Sequence, residues 1–174
     1  MNHDSYSDNY IRSILDDVKT IAVVGASPKQ VRPSYFVVKY LIAKGYTVHP
    51  VNPGHAGKEI CGAMTYASLG DIPGPIDMVD IFRANAAVPG IISEALDLDV
   101  LPSVIWMQLG VRDDEIAAAL ETAGIRVVMN RCPKIEYGRL SGEIGWTGVN
   151  RRSISSKKPR LAKGFQHFGL NPKK

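Results

Sequence analysis

The chain has 174 residues, of which 45% are apolar and 22% charged, so it is long enough to bury the core of one globular domain. No apolar run approaches the ~20 residues of a membrane helix, and the polar start at residues 1–9 lacks the apolar core of a signal peptide, which argues against a membrane protein and favours a cytoplasmic one. The net charge of +4 is unevenly distributed, because residues 151–174 hold eight cations and no acid while residues 1–150 hold 13 cations and 17 acids.

Apolar residues at helical spacing predict a helix over residues 10–18, ahead of a first strand over 20–24. A tight turn follows that strand. The next helix begins at Pro33, in a first turn where proline is tolerated, and runs over 35–44 to a terminal glycine. A second strand over 46–51 ends at a run of Asn, Pro and Gly that is typical of a turn.

A short extended piece near Ile60 and a helical turn or loop over 66–73 lead into the second half of the pattern. The remaining elements are strands over 77–82, 103–107 and 126–129 and helices over 88–98, 113–123 and 134–140. Strands that alternate with helices across short loops predict an α/β fold, a Rossmann-like doubly wound parallel sheet of about five strands in a single domain. We assign this domain to residues 1–150 and a basic tail to residues 151–174.

The predicted sheet indicates where a ligand would bind, because ligands of such folds lie outside the carboxyl ends of the strands. The loops expected at that edge are 25–34, 52–58, 82–88, 108–112 and 130–134. The first is the most informative, since the turn Gly25-Ala26-Ser27 and the helix that starts after Arg32 place backbone N–H groups and a cation where a phosphate binds. The same edge collects further cationic or titratable side chains: Lys29, His55, Lys58 and Arg83.

A nicotinamide dinucleotide is one alternative ligand. The turn after Gly25 lacks the second and third glycines of the dinucleotide fingerprint. The second strand also ends without the carboxylate that would bind ribose hydroxyls, since the next acid is Glu59. NAD or NADP is therefore less favoured than another ligand with several phosphates. No metal-ligand spacing is present, and no metal site is expected.

Several segments together resemble a known family, the small CoA-binding proteins, which are similar to the N-terminal domain of the succinyl-CoA synthetase α-subunit. The likeness runs in order over roughly residues 12–145. The segments that carry it are Val24-Gly25-Ala26-Ser27, Arg32-Pro33-Ser34, Val51-Asn52-Pro53, Asp80-Ile81-Phe82-Arg83, Trp106-Met107-Gln108-Leu109-Gly110 and Asn130-Arg131-Cys132-Pro133-Lys134.

The resemblance implies a protein that binds CoA or a short acyl-CoA. The residues that it assigns to the CoA phosphates are Gly25, Ala26, Ser27, Arg32, Pro33 and Ser34. Those that it places beside the adenosine are Asn52, Pro53 and His55, and those beside the pantetheine arm are Phe82, Arg83, Gln108 and Gly110. A cysteine-proline pair also occurs in the synthetases at the position of Cys132. No segment matches their phosphohistidine domain, so synthetase activity from this chain alone is not expected.

Cys132 leaves two interpretations open. It lies between Arg131 and Lys134, and cations lower the pKa of a thiol, which would suit a CoA-linked thiol-disulfide enzyme. Alternatively it is a small buried residue packed before a proline. The favoured function is a CoA-binding module without catalysis, and the alternatives are that enzyme or a ligase half that needs a partner subunit. The sequence leaves the oligomeric state open, a homo-oligomer included.

The basic tail suggests a separate interaction. Phe165 and Phe168 lie among its cations and would stack on nucleic-acid bases, and the charge would also suit an anionic membrane. The tail carries no recognisable binding motif, and charge on a flexible segment also serves solubility. A small-molecule ligand is therefore the expected partner, and nucleic acid is not.

Overall fold

The computed structural model describes residues 1–142. Its helices are α1 (Asp8–Asp17), α2 (Pro33–Ala43), α3 (Val88–Leu96), α4 (Asp114–Thr122) and α5 (Pro133–Leu140). Its strands are β1 (Thr20–Val24), β2 (Thr47–Val51), β3 (Glu59–Ile60), β4 (Ala63–Met64), β5 (Met78–Ile81), β6 (Val104–Met107) and β7 (Arg126–Val128). The proposed tail and the boundary at residue 150 lie outside the described residues.

Five of the strands form one parallel sheet in the order β2-β1-β5-β6-β7. The doubly wound fold is confirmed. Because the chain moves from β1 to β2 on one side and then returns to β5 on the other, the strand order reverses between β1 and β5. Open sheets of this kind form a crevice at such a switch point, outside the carboxyl ends of the two strands.

The sheet separates two apolar cores, which is why most residues of its strands are apolar on both faces. One core contains α3 and α4 with strand residues such as Val79 and Ile105. The other contains α1 and α2 with Val23 and Trp106. All four residues of β5 are buried, so this central strand belongs to both cores.

The helices begin within two residues of the predicted positions. Pro33 occupies the first turn of α2. The Asp113 carboxylate caps α4 by accepting the N–H of Ile116 at 3.0 Å, so the helix begins one residue later than the predicted range. Across residues 1–142, none of the helices has both the length and the apolar content that crossing a bilayer requires.

The structure contains a β-hairpin where the sequence predicted only a short extended piece. The extended piece near Ile60 is an antiparallel hairpin of β3 and β4, with Cys61 and Gly62 at its turn, both at positive φ. The segment 66–73 contains no helix and joins the sheet through a single bridge between Val51 and Tyr66. Two-residue strands are too short to leave a periodic pattern, which explains why the hairpin was not predicted.

Candidate ligand site at the switch point of the sheet

The turn after β1 is pressed against the end of β5. Gly25 donates its N–H to the Val51 carbonyl at 2.9 Å and has φ +90. A Cβ on this residue would lie 2.9 Å from Cδ of Arg83 and 3.0 Å from the carbonyl oxygen of Phe82. Both the backbone conformation and this close approach require glycine here. The loops after β1 and β5, each predicted to bind the ligand, therefore meet at the switch point.

Ser34 holds the first loop onto α2. Its side chain is buried, and its hydroxyl oxygen accepts the N–H of Ser27 at 3.1 Å. The Ser27 hydroxyl in turn accepts the N–H of Lys29 at 3.3 Å. Arg32 stands at the N-terminal boundary of α2, exposed, and gives that helix no side-chain cap. The loop is thus closed from within by Ser34, while its cations face outward.

Asn52, at the end of β2, also holds the first loop in place. Its amide nitrogen donates to the carbonyl of Ala26 at 2.7 Å, and its amide oxygen accepts the N–H of Gly54 at 3.0 Å. A single 3-10 turn, Pro53–His55, follows and leaves the His55 side chain partly exposed. Asn52 therefore joins the second loop to the first through its amide nitrogen and stabilises the start of the second loop through its amide oxygen.

A cavity of about 470 Å³ opens beside the switch point. Its lining residues are Phe82, Arg83, Ala84, Ala86 and Ala87. Small apolar walls with a single cation suit a slender ligand that carries an anionic group at one end, and the volume lies within the range of small-molecule sites. The Arg83 stem crosses Gly25, so this cation lies between the cavity and the first loop.

Gln108 comes from the end of β6 and turns inward. Its amide nitrogen donates to both carboxyl oxygens of Asp80, at 3.0 and 3.2 Å. Asp80 lies in the central strand and is completely buried, which raises the pKa of its carboxyl to about 8 even though the hydrogen bond from Gln108 opposes the shift. Asp80 lies in one of the segments that carry the family resemblance, but the sequence did not predict a role for it in the site. The signal that could have identified it is an acid within an otherwise apolar strand.

Gly110 links the loops after β6 and β7. Its N–H donates to the side-chain oxygen of Asn130 at 2.8 Å, and both residues adopt positive φ. The N-terminal segment also reaches this loop, because the Tyr6 hydroxyl accepts the N–H of Met129 at 2.7 Å. The Tyr6 ring lies 5.5 Å from the guanidinium carbon of Arg131. Nothing in the sequence pattern predicted these contacts with residues before α1.

Cys132 stands just before α5 and is only 8% exposed. Burial raises the pKa of its thiol, and the neighbouring Lys134 opposes this shift without overcoming it. Of the two interpretations that the sequence leaves open, this environment favours a small buried residue packed before a proline, because burial outweighs the effect of the neighbouring cation. Cys61 does not join the site and occupies the hairpin turn, where its sulfur contacts the carbonyl of Tyr35 at 3.7 Å.

The structure thus brings most of the predicted site residues to one edge of the sheet, on the loops after its parallel strands. Among residues 1–142, no group of three or more His, Cys, Asp or Glu side chains is placed to hold a metal ion.

The sequence profile of the family described as "CoA binding domain" matches residues 19–138. The chain belongs to this family. The match begins just before β1 and ends within α5, so it spans the whole parallel sheet and every loop described above. The resemblance found in the sequence is therefore confirmed at the level of the family.

Two relatives differ in how much of their length the match with this chain covers. The uncharacterized protein YneT of Bacillus subtilis is 38% identical over 127 residues, which cover 73% of this chain and 91% of that protein. An ADP-forming acetate–CoA ligase of Archaeoglobus fulgidus is 28% identical over 152 residues, which cover 83% of this chain but 21% of the ligase. The domain thus matches nearly all of one protein and a small part of the other.

Solved structures agree with the architecture. A Thermus thermophilus protein described as cell-free ID.343 is 41% identical, with a TM-score of 0.72 over 78% of this chain and 99% of its own. A hypothetical protein from Pyrococcus horikoshii OT3 is 37% identical, with a TM-score of 0.73 over 80% of this chain and 96% of its own. The CoA-binding domain here shares its fold with both.

Proposed function

We propose that this protein binds CoA, or a short acyl-CoA, in the crevice between the carboxyl ends of β1 and β5. The observation that carries the proposal is the contact between the Gly25 turn and the Arg83 stem, which places a phosphate-type turn, a cation and a cavity side by side. CoA has the matching shape, since it carries phosphates at one end and a slender neutral arm at the other. Membership of the CoA-binding domain family supports the same ligand.

The phosphates bind at the first loop in this proposal. The exposed cations Lys29 and Arg32 lie on that loop, and Arg83 approaches it from the end of β5. The internal hydrogen bonds made by Ser34 and Asn52 pre-form the loop, which reduces the entropy lost when the ligand binds. These two side chains therefore act as supports.

The neutral arm of CoA follows the apolar cavity. Phe82 and the alanines that line it offer no charge other than Arg83. The inward-turned Gln108 and the loop at Gly110 lie on the neighbouring strand end, where the sulfur would arrive. An acyl group small enough to share this space is compatible with the proposal.

We propose binding without covalent catalysis by Cys132. The raised pKa of this thiol keeps it protonated at neutral pH, and its sulfur is largely enclosed. A thiol nucleophile requires the opposite environment, with a depressed pKa and access to solvent. The end of β2 also supports CoA over NAD. An NAD site needs a carboxylate there to bind the ribose hydroxyls, and this position holds Asn52, whose amide is hydrogen-bonded to the first loop.

The test is calorimetric titration of CoA into the wild-type protein and into Arg83→Ala. A lost charge-assisted hydrogen bond is worth about 1.5–3 kcal/mol, so we expect the affinity to fall by roughly 10- to 100-fold. Arg12→Ala is the matched control, since it removes an exposed arginine from α1. Equal affinities for wild type and Arg83→Ala, with CoA still bound, would remove Arg83 from the proposal. No binding by the wild type would remove the proposal itself.

A further inference from the structure

The buried carboxyl of Asp80 is the least expected feature of the sheet. It lies in the central strand, in register with Val23 of β1 on one side and Trp106 of β6 on the other. Its exposed fraction is 0%. Aspartate is almost never buried to this degree unless a charged partner compensates it.

Within residues 1–142, no charged side chain compensates the Asp80 carboxyl. Its hydrogen-bond partner is the neutral amide of Gln108, and the ionisable group that faces it from the start of α5 is the thiol of Cys132, the residue just before that helix. The register neighbours Val23 and Trp106 are uncharged. The charge of Lys134 lowers the pKa of the Cys132 thiol and does not contribute to the pKa of Asp80. A negative charge on Asp80 would therefore be poorly solvated, which is why burial raises its pKa to about 8.

Asp80 also controls a residue of the candidate site. Gln108 gives its amide N–H groups to the Asp80 oxygens, so the carboxyl fixes the orientation of the whole amide at the end of β6. Gln108 is itself anchored by its backbone N–H, which donates to the carbonyl of Ile81 at 3.3 Å. The position of the side chain thus depends on the carboxyl beneath it.

We propose that Asp80 is a positioning residue of the ligand site, that it acts through Gln108, and that its neutral form is the one that supports binding. This inference rests on the proposed binding of CoA. Ionisation of Asp80 would place a negative charge in a low-dielectric core beneath the crevice where an anionic ligand binds, and repulsion is strong in such surroundings. The ligand and the proton on Asp80 therefore bind cooperatively, and alkaline pH weakens binding.

The size of the effect follows from linkage. If binding requires a proton on a group of pKa about 8, the affinity at pH 9 is about tenfold lower than at pH 7. Asp80→Asn removes the ionisation and keeps an oxygen that accepts from Gln108. We expect this variant to bind within about threefold of the wild type at pH 7 and to lose the dependence on pH.

The experiment is calorimetric titration of acetyl-CoA between pH 6.5 and 9, because the thioester sulfur of this probe carries no proton that titrates. Asp16→Asn, which removes an exposed carboxyl on α1, is the matched control and should retain the fall in affinity. Cys132→Ser should retain it as well, since the thiol that faces Asp80 is not its origin. A fall in Asp80→Asn equal to that of the wild type overturns the inference.

A second measurement needs no variant. At pH 8.5, titrations of the wild type in two buffers with different ionisation enthalpies give the number of protons taken up on binding. Uptake of a substantial fraction of one proton supports the role of Asp80, and zero uptake overturns it. Binding of acetyl-CoA without pH dependence counts against Asp80 alone, whereas no binding at any pH overturns both this inference and the proposed function.

Discussion

Replacing Gly25 with alanine should damage both the fold and the site. The residue has φ +90, a conformation that costs an L-residue about 1–2 kcal/mol. The new methyl group would also lie 3.0 Å from the Phe82 carbonyl oxygen, which has little freedom because the Phe82 N–H donates to Val24 at 2.8 Å. The Arg83 stem, at 2.9 Å, is flexible and can move aside. We expect a total loss of about 2–4 kcal/mol in the free energy of unfolding.

Gly45→Ala is the matched control for this prediction. Gly45 has φ +93, nearly the same as Gly25, but a Cβ there would meet nothing within 4 Å. Its substitution isolates the cost of the backbone conformation, about 1–2 kcal/mol. Urea unfolding measures both variants, and calorimetry measures their affinity for CoA. We expect the affinity to fall at least about tenfold for Gly25→Ala and to stay unchanged for Gly45→Ala. Equal destabilisation of the two variants, with equal affinities, would refute the close approach of the first loop to β5.

Three further predictions test individual contacts. Asn52→Ala leaves the Ala26 carbonyl and the Gly54 N–H without their partner, so urea unfolding should register a loss of about 1–3 kcal/mol. Asp80 has a folded-state pKa of about 8, above its ordinary value of 3.8, so the wild type loses stability as pH rises between these values. Urea unfolding from pH 5 to 7 should therefore show the free energy of unfolding of Asp80→Asn rising relative to that of the wild type, by up to about 1.4 kcal/mol per pH unit. A difference between the two proteins that does not change with pH would contradict the buried neutral carboxyl. Cys132 should also react slowly with a thiol reagent at pH 7.5. Intact mass should show Cys61→Ser, which retains only Cys132, labelled at least about tenfold more slowly than Cys132→Ser, which retains only Cys61. Equal labelling rates would show that Cys132 is as reactive as Cys61.

The sequence was sufficient for the sheet and for the edge at which the predicted site lies. Strands of a parallel sheet are buried on both faces, so strands such as β1 and β6 form nearly continuous apolar runs that are visible without a structure. The sequence did not predict the order of the strands, so the position of the switch point between β1 and β5 comes from the structure. The family resemblance depended on loop segments at this same edge.

The roles of individual side chains could not be predicted in the same way. Ser34 and Asn52 were expected beside the ligand, and the structure adds that they hold the first loop, since Ser34 accepts from Ser27 and Asn52 donates to Ala26. The sequence does not show which backbone groups a side chain will reach after folding. The choice between the two interpretations of Cys132 could not be made from the sequence for a related reason. Local cations are visible in the sequence, but the burial that outweighs them is a property of the packed core.

The most direct test of the account is a comparison of CoA with NAD by calorimetric titration of the wild-type protein. Binding of CoA in the crevice between β1 and β5 predicts saturation at one site per chain, with NAD at least about tenfold weaker. Equal affinity for the two ligands, or no saturable binding of CoA, would contradict the central claim.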